Sequence, residues 1–482
     1  MELQWSKIRC PFLQTRVHQV QTQEETMELR LPEELPDIGR VLCAWGSCVI
    51  RSKQWRGDSM SVSGGVNASV LYVPEDGSSL RCVQAWLPFQ VKWSFPQTHR
   101  ECAIRVSCLL RGIDARILSA RKMMLRANIS MLGQALETME AEISVPEALP
   151  GGVEVLTNVY PTVLPVEAGE KQFQFDDELH IPDVAQWIHF SLEPEVTEQQ
   201  VVGSRVVMRG SALLRYLYLD QQGQLRTGSK EIPFAQFADL DRDYEDATVD
   251  VLLCVANLEP EPMEDGMRIG CTLTAQYVLK RRCLLEIVED AYSTQCALST
   301  DTEMLQLPVE LDCRTEVLDL DLQFREGKVL DLAVLPEQPL QYREGDMLRL
   351  EVPAQVRILY EDMDGTLQTC SQHWTGSLSL PSADNTQVQA VIRSVEITDG
   401  TGRIKLHLQT GADQQIPMIQ ALNLGERRPV EENRPSLILR RMDEESLWEL
   451  AKQSGSTMEA IRKANGLTKE PQQGQMLLIP VI

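Results

Sequence analysis

Residues 66–87 read VNASVLYVPEDGSSLRCVQAWL. Val66, Ala68, Val70 and Tyr72 alternate with polar or small residues, which puts them on one face of an extended strand. Asp76-Gly77 supplies a turn, because glycine accepts the left-handed backbone that a tight reversal needs. An apolar strand then returns from Leu80 to Leu87, so the stretch reads as a β-hairpin. Tyr218 in LYLDQQG and Tyr360 in ILYEDMDG repeat the signal, with Gly223 and Gly365 at the matching turns.

Sliding the chain on itself extends the match. MELRLPEELPDIGRVL begins at Met27 and FQFDDELHIPDVAQWI at Phe173, a shift of 146 that also carries Tyr72 onto Tyr218. Tyr360 lies 142 beyond Tyr218, and REGKVLDL stands where the third copy should carry its Pro-Asp motif. Each copy has further alternation downstream, a long run at Arg116 to Met131 and counterparts at Arg268 to Leu279 and Arg403 to Leu408. Pro36 to Leu42 and Pro182 to Ile188 read as one helical turn or as a bend. Several strands per copy and few helical stretches predict a mainly β chain with three tandem antiparallel β-sandwich or barrel-like repeats. The expected boundaries are an extension at 1–24, repeats at 25–150, 165–298 and 305–425, a linker at 426–435 and a small α+β (βααβ) module at 436–482. Proline, glycine and acids gather at Pro146 to Gly152, Ser299 to Pro308 and Gly425 to Pro435, which marks these segments as linkers. The last is charged and proline-bearing, and it would hold the module off the sheets without fixing its orientation.

The 482 residues carry a net charge of -24, from 46 basic and 70 acidic side chains. That balance repels nucleic acid and anionic membrane as main partners. The basic run from Lys92 to Arg126 reads as one solvated strand face. The N-terminus has no apolar segment of a secretory signal, and no run approaches a membrane span, so a cytoplasmic protein is expected. The 12 cysteines then read as reduced, mostly buried thiols. His18, His99, His180, His189, His373 and His407 show no metal spacing, and neither a phosphate-cradling glycine loop nor a nucleophile elbow appears. The acids at Glu75-Asp76 and Asp362-Asp364 read as turn formers. No catalytic residue, metal or cofactor is predicted.

The chain ends differently. DEESLWELAKQSGSTMEAIRKANGL, from Asp443 to Leu467, is two short helices. Ser446 with Glu449, and Ser456 with Glu459, have capping-box spacing, and Gly455 and Asn465-Gly466 are stop signals. Leu447, Leu450 and Ala451 share a face, as do Met458, Ile461 and Ala464. Leu437 to Leu439 and Met476 to Ile479 are apolar runs that read as paired strands covering those faces.

SLWELA, the Thr457-x-x-x-Ile461 pattern, ANGL and GQMLLIP together resemble a LysM domain. The resemblance implies a recognition groove between two loops, formed here by Asp443, Glu444, Leu447 and Trp448 on one side and Asn465, Gly466, Leu467 and Thr468 on the other. The chain departs from the family at the usual Gly-Asp before the first helix, where it has Glu444-Glu445. Trp448 has two readings, a core residue between helix and sheet or an exposed partner anchor. Asn465-Gly466 likewise reads as a helix stop or as part of the groove.

The three copies resemble SPOCS domains of bacterial spore-coat morphogenetic proteins. ELPDIGRVL and HIPDVAQWI, the LYV and LYL strand ends, and SARKMMLRANI carry this likeness. Three such units followed by one LysM imply a non-enzymatic scaffold in the mother-cell cytoplasm, at the forespore or coat surface. The implied partners are a coat basement-layer protein like stage IV sporulation protein A, held by the module, and other coat proteins or further copies of the chain, held by the sheets. The alternative is a peptidoglycan or N-acetylglucosamine binder at cell wall or cortex.

Overall fold

The computed structural model describes residues 5–94, 102–381, 386–398, 401–429 and 435–482. It is mainly β, built of separate antiparallel sheets with two short helices. The first six strands are β1 (Trp5–Arg30), β2 (Ile38–Arg56), β3 (Ser59–Pro74), β4 (Arg81–Ser94), β5 (Cys102–Ser119) and β6 (Lys122–Pro146), in two sheets ordered β2-β3-β4 and β1-β6-β5. The hairpin read at 66–87 joins β3 to β4, with Val66 opposite Leu87 and Gly77 at a φ of 71°.

Next come β7 (Val153–His180), β8 (Val184–Val202), β9 (Arg205–Asp220), β10 (Leu225–Asp239), β11 (Ala247–Met263) and β12 (Gly266–Ser293), in sheets β8-β9-β10 and β7-β12-β11. A third series follows: β13 (Cys296–Leu320), β14 (Gly327–Pro336), β15 (Leu340–Glu344), β16 (Met347–Asp362), β17 (Leu367–Pro381), β18 (Thr386–Thr398) and β19 (Thr401–Arg427). Its sheets are β14-β16-β17, with β15 beside the front of β16, and β13-β19-β18. Pro336 and Pro339 separate β14 from β15, since a residue without an N–H cannot continue a ladder.

In each series the two sheets share one core, and buried residues alternate along the facing strands. Met60, Val62, Val66 and Val70 on β3 meet Met123, Leu125, Ile129 and Met131 on β6. Val206, Met208 and Leu214 on β9 meet Ile269, Cys271 and Leu273 on β12. Leu350, Val352 and Ile358 on β16 meet Ile404, Leu406 and Leu408 on β19. Full burial of each large aliphatic side chain contributes roughly 1.5–3 kcal/mol.

The Pro-Asp motif of the first series has a local cause. Tyr72 donates through its hydroxyl to the Pro36 carbonyl, 3.1 Å away. Arg121, in the β5–β6 turn, donates to Asp37 and to the Pro32 carbonyl. Two segments distant in sequence thus fix one loop, which is neither a helical turn nor free: residues 33–35 bend and β2 starts at Ile38. Pro182 likewise sits in a turn before β8 rather than in a helix. Asp220 and Asp362 each accept from two backbone N–H groups of the turn that follows, so acids here do form turns.

Several expected boundaries move. Arg116 to Met131 is not one strand, because a two-residue turn at Ala120-Arg121 folds β6 back on β5 with Ser119 opposite Lys122. Ser299 to Pro308 is no linker but part of β13, paired with β19, and the break before it is at Thr294-Gln295. Gly425 to Arg427 belongs to β19, while residues 430–434 of the expected linker lie outside the described residues. Residues 5–24, read as an extension, are the first part of β1.

These shifts share one explanation. Among the described residues β5 pairs with β6 as far as Glu137, β11 with β12 as far as Arg281, and β18 with β19 as far as Ala412. Beyond those points the described pairing of β1/β6, β7/β12 and β13/β19 is that of two-stranded ribbons. A lone ribbon is marginal in water. Here the three pack together through Ile143, Leu285, Ile287, Ile416 and Met418, and further along through Trp5, Val288, Ala291, Ile419 and Leu422. They form a stem.

At the other end the three series meet at a second shared core. Cys43, Trp45, Leu71 and Cys82 of the first pack with Ile188, Leu217 and Leu225 of the second and Leu330 and Leu359 of the third. Trp45 donates through Nε1 to Asp331, 2.6 Å away, and stacks on His189 at 5.8 Å. Burial, with a smaller push from Arg357, lowers the His189 pKa to about 3 and keeps the ring neutral. The C-terminal segment contains β20 (Leu437–Arg441), α1 (Leu447–Ser454), α2 (Met458–Asn465) and β21 (Met476–Pro480), with β20 and β21 paired antiparallel. Among the described residues no helix is long and apolar enough to cross a membrane.

Candidate binding site

The helices of the C-terminal segment start and stop on side chains. Ser446 accepts from the Glu449 N–H while Glu449 accepts from the Ser446 N–H, a complete capping box. α2 differs from the expectation: its cap is Thr457, which accepts from the Ala460 N–H, and Ser456 is fully buried. The chain leaves α1 through Gly455 at a φ of 63°, and Ser456 is used in closing that turn by donating its N–H to Ala451. One residue therefore separates the stop of α1 from the cap of α2. Gly466 ends α2 at a φ of 61°.

Leu447, Trp448, Leu450 and Ala451 of α1 pack with Ile461 of α2 and Leu477 and Ile479 of β21. Met458 lies against this core and Ala464 is exposed, so the apolar face of α2 is narrower than Met458, Ile461 and Ala464 would make it. Asn465 takes the place expected of Ala464. Its amide nitrogen donates to the carbonyls of Ile461 (2.8 Å) and Leu478 (2.6 Å), and its oxygen accepts from the Leu478 N–H (2.8 Å). Asn465 thus closes the outer edge of β21 as a neighbouring strand would.

The same core contains a residue from far away, Tyr292 at the end of β12. Trp448, only 5% exposed, meets the Tyr292 ring edge-on at 4.8 Å and donates from Nε1 to Asp290 at 2.8 Å. Lys452, one turn on, pairs with Asp290 at 2.7 Å. The Tyr292 hydroxyl donates to the Ser456 carbonyl at 2.8 Å. Burial disfavours the charged Asp290, yet the hydrogen bonds from Lys452 and Trp448 and the Lys452 charge outweigh it and hold the carboxyl below its ordinary range. Burial, aided by Glu154 and Asp290, pushes the Tyr292 phenol up, which keeps it a donor. The segment is therefore moored to the stem through β12. It does not swing on a tether.

The eight residues singled out in the sequence divide accordingly. Leu447 and Trp448 are interior, Asn465 is committed to β21, Leu467 lies on the core, and Gly466 is the left-handed stop. Asp443, Glu444 and Thr468 remain on the surface of the two loops. Neighbouring Glu445 is bonded to Arg440, which also donates to Gln453. The loops thus bring together polar groups, with the indole turned inward.

The chain matches no known family profile, no curated protein and no solved structure. Function must therefore be argued from the geometry.

Sequence reasoning missed two features. Asp290 and Tyr292 lie about 160 residues from Trp448, and nothing local signals such a pairing. The second was readable. In Leu437–Arg441 and Met476–Pro480 both faces are apolar, more than a cover for the helices requires. Ile438, Leu477 and Ile479 point to the core, while Leu437, Leu439, Met476 and Leu478 are 51%, 62%, 52% and 39% exposed. Elsewhere, two cavities of about 280 and 300 Å³ separate the first and second series. Their polar groups are engaged in joining the two: Lys53 pairs with Glu170 and donates to the Gln276 side-chain oxygen, and His189 bonds Ser69. Among the described residues no group of three or more His, Cys, Asp or Glu side chains can hold a metal.

Proposed function

We propose that the chain is a non-enzymatic scaffold of the spore-coat type, with three copies of one SPOCS-like unit, six strands in the first two and seven in the third, carrying a LysM-like module. In this reading it works in the mother-cell cytoplasm at the forespore or coat surface. The module binds a basement-layer protein like stage IV sporulation protein A, and the sheet units bind other coat proteins or further copies of the chain. What supports the repeat is the recurrence of strand order, together with the starts of β3, β9 and β16 at residues 59, 205 and 347, the shifts of 146 and 142 found in the sequence.

One observation favours a protein over a glycan as the module's partner. Sugar rings are gripped by exposed aromatic faces and hydrogen bonds. The aromatic ring next to the loops, Trp448, is enclosed by Tyr292 and Asp290, while Asp443 and Glu444 put charge on the loop surface. The test uses the full chain, because an isolated module would expose Trp448. The full chain is expected to be retained on immobilised stage IV sporulation protein A and to pass through a column of purified peptidoglycan. Retention on peptidoglycan alone would reverse the assignment.

A further inference from the structure

Asn465 determines which backbone groups of the small sheet are spent. It bonds the N–H and C=O of Leu478 from the side away from β20. Leu478 faces Leu439 across the ladder, so the N–H and C=O of Leu439 also point away from the pair, out of the free edge of β20. Residues two apart share that direction. Leu437 and Arg441 therefore present their backbone groups on the same edge, and among the described residues nothing bonds to them there. One edge of the sheet is closed by a side chain and the other is open. The open edge is bordered by the exposed side chains of Leu437 and Leu439, with Leu478 and Met476 beside them on the same face.

We propose that the free edge of β20 receives an extended segment of a partner protein, added as an antiparallel third strand with the pattern acid-x-apolar-x-apolar. The order follows from the edge. An antiparallel segment places its first residue opposite Arg441 and its third and fifth opposite Leu439 and Leu437. Arg441 is exposed and forms no ion pair among the described residues, so it selects an acid at the first position. Leu439 and Leu437 select apolar side chains at the next two. Main-chain hydrogen bonds supply affinity and the alternate side chains supply specificity. A second copy of this chain is the poorer occupant. An antiparallel pair of β20 edges centred on Leu439 would set each Arg441 opposite Leu437 and supply it no acid.

This inference rests on the reading of the module as a protein binder, and it can fail separately. The probe is a synthetic ten-residue peptide with an acid followed at alternate positions by two leucines, titrated into the full chain and compared with a scrambled peptide. Binding of the patterned peptide alone is expected, with slowed amide exchange at Leu437, Leu439 and Arg441. Leu439→Pro removes an N–H that points only outward, so it should keep the melting temperature and lose at least ~10-fold in affinity. Arg441→Glu should exchange the preferred first residue from acidic to basic. Equal affinity for the scrambled peptide, or an unaffected Leu439→Pro variant, overturns the proposal. A dimer in sedimentation that Leu439→Pro abolishes would assign the edge to a second copy and also overturn it. Peptidoglycan retention with intact peptide binding would remove the functional assignment while leaving the edge standing.

Discussion

Thr457 and Ser456 are adjacent hydroxyl residues with opposite duties. Thr457 satisfies an N–H that a helix start otherwise leaves bare. The Ser456 hydroxyl is buried and has no hydrogen-bond partner among the described residues. Thr457→Ala should lower stability by about 1 kcal/mol, whereas Ser456→Ala should be neutral or slightly stabilising, since it removes a buried polar atom that gains nothing. Chemical denaturation of the two variants checks this, and the reverse ranking would restore Ser456 as the cap. The sequence alone favours Ser456 because its spacing to Glu459 completes a box. Only the backbone of the α1 stop shows that Ser456 is already committed to closing that helix.

Among the elements, the stem shows what a linear reading misses. The strand at Val66 to Tyr72 and the hairpin turns were legible because they depend on neighbours in sequence: Val66 to Tyr72 alternate, and Gly77, Gly223 and Gly365 all adopt positive φ. Ser299 to Pro308 carries the proline and acids of a loop, yet it pairs as a strand with residues more than 100 positions later. Tertiary burial overrides such a local signal. The same logic predicts that residues 5–14 are structural. Deleting them removes the partner of residues 137–146 and uncovers Ile143 in the shared core. The truncated chain should melt several degrees lower and bind an apolar dye, while an unchanged melting curve would return the segment to a dispensable extension. Of the candidate site, the Ser446 cap, the glycine stops and the exposed loop residues Asp443, Glu444 and Thr468 were legible. The mooring of Trp448 was not, because its partners belong to another series of strands.

For the whole molecule, the contact at Asp290 governs whether module and stem move as one body. Its folded-state pKa is depressed, so its contribution is present above the unfolded value of roughly 3.9 and is lost as pH falls from there through the folded pKa. The carboxylate and Lys452 are partly exposed, and screening makes the ion pair itself a minor part. Small-angle scattering is expected to show the module docked at neutral pH and a detached fraction that rises as the pH falls through the folded value. Trp448→Ala should release the module at neutral pH without unfolding the sheets, read as a new protease-sensitive site between the stem and β20. A variant that stays docked would show that Tyr292 and Lys452 suffice.

The three ribbons also give the molecule a length. Trp5 lies near the stem tip where the module is moored, while Arg30, at the other end of β1, lies beside the turns of the first series. The turn of the second series comes against that of the first, with Gly223 next to Ser79. The 26 residues of β1, at roughly 3.3 Å each, allow these ends to lie up to about 80 Å apart, less what the irregularity at Thr15/Val17 takes up. A partner gripped at the module and another caught at the turns would be kept at that separation by the chain itself.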